Sequence, residues 1–263
     1  MAKILKDIKE IAHHKEVLWN FTLREIKVKY KQSILGILWA ALQPLSMMVI
    51  FTVIFSRFIK VPSDGMPYPI FSFAALLPWM FFSNSILSSA SSIVGSMNLL
   101  NKIYFPREIF PMSSILAAFV DFCIAGCIFF VMLIFYKIPL TLNILYLIPI
   151  LVLEIGFILA ISLFVAAANV YYRDVRYVIP LVIQLWMYAS PVIYPISVVP
   201  QHLRPFYMLN PMAFIIDSYR KVLVLGLAPD WPCFAAMAAV VLLLLWLAYN
   251  FFKKIEMSFA DVI

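Results

Sequence analysis

Six stretches of this chain are almost free of charge, and each is long enough to cross a lipid bilayer. Residues 32–56, 65–101, 177–203 and 231–252 carry no Asp, Glu, Lys or Arg; residues 109–136 hold only Asp121, and residues 138–172 only Glu154. A helix needs about 20 mostly apolar residues to cross a hydrocarbon core roughly 30 Å thick. The windows therefore predict spans near 36–56, 70–95, 109–136, 146–170, 177–196 and 232–252. Composition agrees: 65% of the 263 residues are apolar and 13% are charged, where a soluble domain carries roughly 25% charged residues. A fold in water has no way to hide that much apolar surface. Soluble enzymes, disordered regulators and secreted disulfide scaffolds are excluded on this ground. The expected fold class is an all-α polytopic membrane protein with six transmembrane helices.

The charges that remain set an orientation. The net charge of +7 would suggest nucleic acid in a soluble protein, but here the cations lie between apolar runs, so no nucleic-acid partner is expected. Fourteen of the twenty Lys and Arg residues fall on the amino-terminal arm, the second and fourth loops and the tail. The positive-inside rule then places both termini in the cytoplasm. The expected organisation is a cytoplasmic arm over 1–31, a spanning domain over 32–252 and a tail over 253–263. The first apolar run begins only after Lys31, so the first span is expected to act as its own uncleaved insertion signal.

From Val17 to Lys31 the spacing is helical. Trp19, Leu23, Ile26 and Tyr30 share one face, and Arg24, Lys27 and Lys31 another. This pattern predicts an amphipathic helix in the membrane interface with its cations toward lipid phosphates. Two readings of the cations stand: a positive-inside anchor, or a guide for an anionic lipid headgroup.

Within the spans, Ser85, Ser88, Ser89, Ser92 and Ser96 form a small polar stripe. Such residues let helices pack closely, or wall a polar conduit, for which Ser85, Ser88 and Ser92 are the candidates. Pro78 is expected to kink the second span. Asp121 and Glu154 are intramembrane carboxylates, expected to face protein or water rather than lipid. They serve either as interhelical polar contacts or as a proton-carrying pair. Pro191, Pro195, Pro200, Pro205 and Pro211 forbid one continuous helix between the last two spans. Two short re-entrant or interfacial helices are expected there. Trp186, Tyr188, Tyr194, Phe206 and Tyr207 are its aromatics, suited to stacking on sugars or to anchoring at the interface.

The stretches "LREIKVKYKQSILGILWAALQPL" (23–45), "LLNKIYFPREIFP" (99–111), "NVYYRDVRYVIPL" (169–181), "SPVIYP" (190–195) and "LNPM" (209–212) come in an order that resembles the membrane subunits of type-2 ABC exporters. Those subunits move O-antigen, capsule or teichoic-acid polymers. The resemblance implies a homodimer in the bacterial cytoplasmic (inner) membrane, paired with two copies of a separate ATP-binding subunit and moving a lipid-linked polysaccharide. It also implies that Lys102, Tyr104, Arg107 and Glu108 dock on the ATPase, with Arg173 and Asp174 as a second contact. Trp186, Tyr188 and Tyr194 become channel-lining and Phe206 and Tyr207 part of an outer gate.

No G-x-x-x-x-G-K-[ST] occurs, and the six glycines stand apart from one another. No phosphate-cradling loop is encoded, so ATP and Mg are expected on the partner subunit. No catalytic signature occurs either, and the chain is not read as an enzyme. His13 and His14 are adjacent and do not share a helical face, and Cys123, Cys127 and Cys233 lie in apolar segments; no metal site is expected. The competing readings are a proton-coupled secondary transporter using Asp121 and Glu154, and a membrane-embedded lipid-modifying enzyme.

Overall fold

The structure is a computed structural model that describes residues 2–31, 33–96 and 105–256. Lys102 and Tyr104 lie outside the described residues. Among the described residues every regular element is helical. The arm holds α1 (Ala2–His13) and α2 (Lys15–Tyr30). The first span is a continuous helical run over Gly36–Phe58. It opens with a 3₁₀ turn, continues as α3 (Trp39–Phe51), and ends in a π-helical stretch, Thr52–Phe58. Then follow α4 (Tyr68–Ser92), α5 (Ile109–Phe135), α6 (Leu147–Tyr171) and α7 (Val175–Tyr188). After a helical turn at Arg204–Tyr207 come α8 (Pro211–Leu223) and α9 (Trp231–Glu256).

Five of these runs are long and apolar enough to span a bilayer; α7, with 14 residues, is the short one. Fourteen helical residues reach only about 21 Å. The span expected over 177–196 therefore stops at Tyr188, because Ser190 and Pro191 begin a run of turns. The two short helices expected next prove unequal: a four-residue turn, then the 13-residue α8. Helix α4 runs on through Pro78, the residue expected to kink it.

Helix α4 is the hub. Its apolar window is 78% buried, against 17% for the first span and for α9. Lipid tails are as apolar as Leu, so burial in a bilayer reflects close packing rather than flight from water. Aromatic rings fill the space around the hub. Phe73 stacks on Phe129 of α5 at 5.6 Å, and Phe82 stacks on Phe157 of α6 at 5.4 Å. Gly156 admits Val241 of α9, whose Cγ1 would lie 3.3 Å from any Cβ placed there.

Helix α8 begins where Asn210 caps it, accepting the Met212 backbone N–H at 3.1 Å, with Pro211 in the first turn where a missing N–H costs nothing. It is buried along most of its length. The turn after it closes at Gly226, whose φ of +64° favours glycine. A Cβ there would meet Thr141 Cγ2 at 2.8 Å.

Candidate functional site

Three cations expected at a lipid headgroup come together. Arg24, Lys27 and Lys31 line one open groove of about 740 Å³, with Leu23, Ile26, Val28 and, at the head of the first span, Ile37 among its apolar lining. Their steps of three and four residues set them on one helical face. Arg24 also donates to Ser96 Oγ at 3.4 Å, which ties the groove to the 3₁₀ turn Val94–Ser96 that follows α4.

Helix α2 packs lengthwise against α5. Phe21 packs on Phe110 at 5.2 Å, Thr22 is buried, and Lys29 and Tyr30 both bind Asp121. From Phe110 to Asp121 is eleven residues of α5, or about 16 Å. Trp19, assigned to the apolar face, is 60% exposed, because Phe21, Thr22 and Lys29 make the protein contact instead. Lys29 pairs with one carboxylate oxygen and the Tyr30 hydroxyl donates to the other. Burial and this contact hold the Tyr30 hydroxyl well above its ordinary pKa, so it stays a donor. Beside the pair lies a mostly apolar pocket of about 40 Å³, whose polar lining also includes Gln43 and Asn84.

Asp121 and Glu154 do not pair with each other. Glu154 is fully buried and accepts from the Tyr219 hydroxyl of α8 at 2.6 Å. The serine stripe is divided. Ser85 and Ser89 are fully buried in the protomer, and Ser89 donates to the Pro111 carbonyl at 3.3 Å. Ser85 therefore lines no accessible wall. Ser88 is exposed, Ser92 half-buried, and Ser91 and the partly open Asn84 share the accessible side.

On the other side of the fold, Tyr194 joins its neighbours. Its hydroxyl donates to the Tyr188 carbonyl at 2.9 Å and lies 3.0 Å from the Tyr207 hydroxyl. Phe206 is 72% exposed. Trp186 is half-buried, set edge-on to Phe82 and Phe157 with Nε1 donating to Asn210 Oδ1 at 3.0 Å.

Of the residues assigned to ATPase docking, Arg173 and Asp174 are exposed between α6 and α7. Glu108 is turned inward, 1% exposed and 2.5 Å from Lys253 Nζ of α9. Burial raises its carboxyl pKa despite that cation. Arg107 donates to the Glu256 carbonyl. This corner of the second loop is thus fastened to the end of α9.

The model of the family described as "ABC-2 type transporter" matches residues 16–224, from the head of α2 through the end of α8. The chain belongs to the ABC-2 type transporter family. It is 30% identical over 263 residues to the "O-antigen export system permease protein RfbA" of Myxococcus xanthus, covering 99% of this chain and 100% of that one. It is 25% identical over 249 residues to the protein of the same name from Klebsiella pneumoniae, covering 94% and 95% of the two. The "Polysialic acid transport protein KpsM" of Escherichia coli is 21% identical over 248 residues, covering 89% and 91%.

The segments through which this ABC-2 chain resembles its family hold the bundle together. Asn169 of "NVYYRDVRYVIPL" donates to the Ala90 carbonyl at 2.8 Å. Asn210 of "LNPM" caps α8 and donates to Ser190 Oγ at 3.0 Å and the Ala189 carbonyl at 3.2 Å. In "SPVIYP", the Val192 carbonyl accepts from Arg220 Nη2 at 2.9 Å. Sequence reasoning missed three participants: Lys29, Arg220 and Asn84. The signal for Lys29 was its helical phase, off the face of Arg24, Lys27 and Lys31. Arg220 had none, since its partners are backbone carbonyls.

Proposed function

We propose that this chain is the membrane permease of an ATP-driven exporter that moves a lipid-linked polysaccharide, O-antigen-like, across a bacterial inner membrane. Supporting it is the match, over 99% of the chain, to a relative named as an O-antigen export permease. Two copies form the conduit, both termini lie in the cytoplasm, and a separate subunit, also in two copies, binds ATP and Mg. The basic groove of Arg24, Lys27 and Lys31 receives the anionic diphosphate of the lipid carrier, where charge-assisted bonds are strongest. The Tyr188, Tyr194 and Tyr207 cluster offers rings and hydroxyls to the emerging polymer, and exposed Phe206 stands with Tyr207 at the outer gate. Arg173 and Asp174 stand open for the ATP-binding partner, while Arg107 and Glu108 carry its motion into α9. A proton-coupled transporter is not favoured, because Asp121 and Glu154 engage different partners.

The test is a deletion strain complemented with this chain. Surface polysaccharide should return only when an ATP-binding chain co-purifies in equal amount and retains hydrolysis. Export that persists with the ATPase disabled would refute the reading.

A further inference from the structure

The arm and the bundle meet at one buried carboxylate. Asp121 is 8% exposed and stands twelve residues, about 18 Å, along α5. A lone carboxylate at that depth is costly, and both its oxygens are engaged from outside the bundle, by the last turn of α2. Lys29 is the outer partner, with its side chain 47% exposed. Tyr30 lines both the pocket beside Asp121 and the basic groove. The residue that holds Tyr30 in place therefore also sets one wall of the groove. Lys27 and Lys31 flank the two tethered residues in sequence, so their depth follows from the tether. Phe21 on Phe110 holds the middle of the helix. Asp121 thus fixes how the last turn of α2 sits along α5.

We propose that Asp121 is a positioning residue for the lipid-diphosphate groove: through Lys29 and Tyr30 it holds α2 at the depth where Arg24, Lys27 and Lys31 converge on the headgroup. Asp121 touches no ligand itself. The inference rests on the groove being the headgroup site, and the experiment separates the two.

Full-length chain in lipid nanodiscs carries a bimane at Val28→Cys, an exposed arm position, with Cys123, Cys127 and Cys233 replaced by Ser. Quenching by nitroxide lipids labelled at different depths reports where α2 lies. Binding is measured to vesicles containing a polyprenyl diphosphate, against vesicles of equal charge made with phosphatidylglycerol. Asp121→Asn and Lys29→Met should each shift the bimane and weaken diphosphate binding about tenfold, roughly one broken charge pair's worth. The exchange Asp121→Lys with Lys29→Asp should restore both readouts, which mere loss of packing would not do. Lys29→Met leaves every bundle residue intact, so it decides the matter if Asp121→Asn does not fold. Unchanged bimane depth and affinity in Lys29→Met would overturn the inference. Wild-type binding by an Arg24→Ala, Lys27→Ala, Lys31→Ala variant would overturn the groove reading instead, as would equal binding of the two vesicle types by the unaltered chain.

Discussion

Tyr219→Phe is the sharpest probe of how this bundle treats a buried carboxylate. Glu154 is fully enclosed, its Oε2 accepts from the Tyr219 hydroxyl at 2.6 Å, and its Oε1 has no partner. Deleting one hydroxyl therefore leaves the carboxyl with no bond. Hydrogen bonds between membrane helices average only about 0.6 kcal/mol, but orphaning a buried polar group costs roughly 1–3 kcal/mol. The expected loss is about 2 kcal/mol. Glu154→Gln keeps an acceptor for Tyr219 and should lose under about 1 kcal/mol. Glu154→Leu combined with Tyr219→Phe removes both halves, and the cycle should show a coupling of about 1–2 kcal/mol. Reversible unfolding in mixed micelles measures all of these. Additivity within about 0.3 kcal/mol would refute the pairing. Export adds an independent readout. Glutamine has no titratable proton, so a folded Glu154→Gln variant should still export if Glu154 only packs the bundle; loss of export would return Glu154 to a proton-carrying role.

Arg220 is 4% exposed, donates to the carbonyls of Phe71 at 3.2 Å, Val192 at 2.9 Å and Tyr194 at 3.5 Å, and lies over the Phe71 ring at 3.6 Å. Arg220→Lys loses the planar fork that spans these acceptors and should cost about 3 kcal/mol, seen as a lower folded fraction on size-exclusion chromatography; an unshifted profile would remove Arg220 from the role. Glu108 has its carboxyl pKa raised above the ordinary 4.5 by burial, so the folded chain holds that proton more tightly than the unfolded one. Its contribution to stability is present at low pH and declines as pH rises from 4.5 through the raised value. Glu108→Gln should flatten that limb of the Tm–pH profile in detergent, while Lys253 keeps Glu256 at 2.9 Å.

The spans were legible because charge is expelled from lipid whatever the tertiary fold, so charge-free windows locate helices without knowing their neighbours. What each helix faces was not legible. Serines at 85, 88, 89, 92 and 96 share one helical stripe, and only packing decides that Ser85 and Ser89 turn inward while Ser88, at the edge of the stripe, stays open. The fifth window read as a full span because "ASPVIYPISVV" is apolar, yet its chain is turned to present carbonyls to Arg220. Backbone acceptors leave no mark in a sequence. The arm cations were legible as a set, but Lys29 looked like one more of them, because a helical phase names a face without naming the helix opposite it.

Polarity on α4 has a boundary that bears on how a conduit is divided. Along the segment from Ile70 to Trp79, α4 is buried throughout. Accessible polar groups begin at Ser83 and Asn84 and continue through Ser88 and Ser91 toward the end that meets Arg24 by way of Ser96. Asn84 also lines the pocket at Asp121, and Tyr30 joins that pocket to the basic groove. One half of the protomer thus carries accessible polar groups at intervals among apolar ones, from arm cations to mid-helix amide. The other half offers none on α4. A hydrated polymer passing that half needs its polar contacts from another element, and the tyrosines at 188, 194 and 207 are linked by hydrogen bonds there. A path made of these two surfaces requires α7 and the turn at Arg204–Tyr207 to face the same space as the open side of α4. Tyr188→Ala should then slow export without loosening the arm, whereas Lys29→Met should weaken capture and leave the outer tyrosines in place. The same defect from both, measured as rate at saturating substrate, would mean that the two surfaces do not act in series.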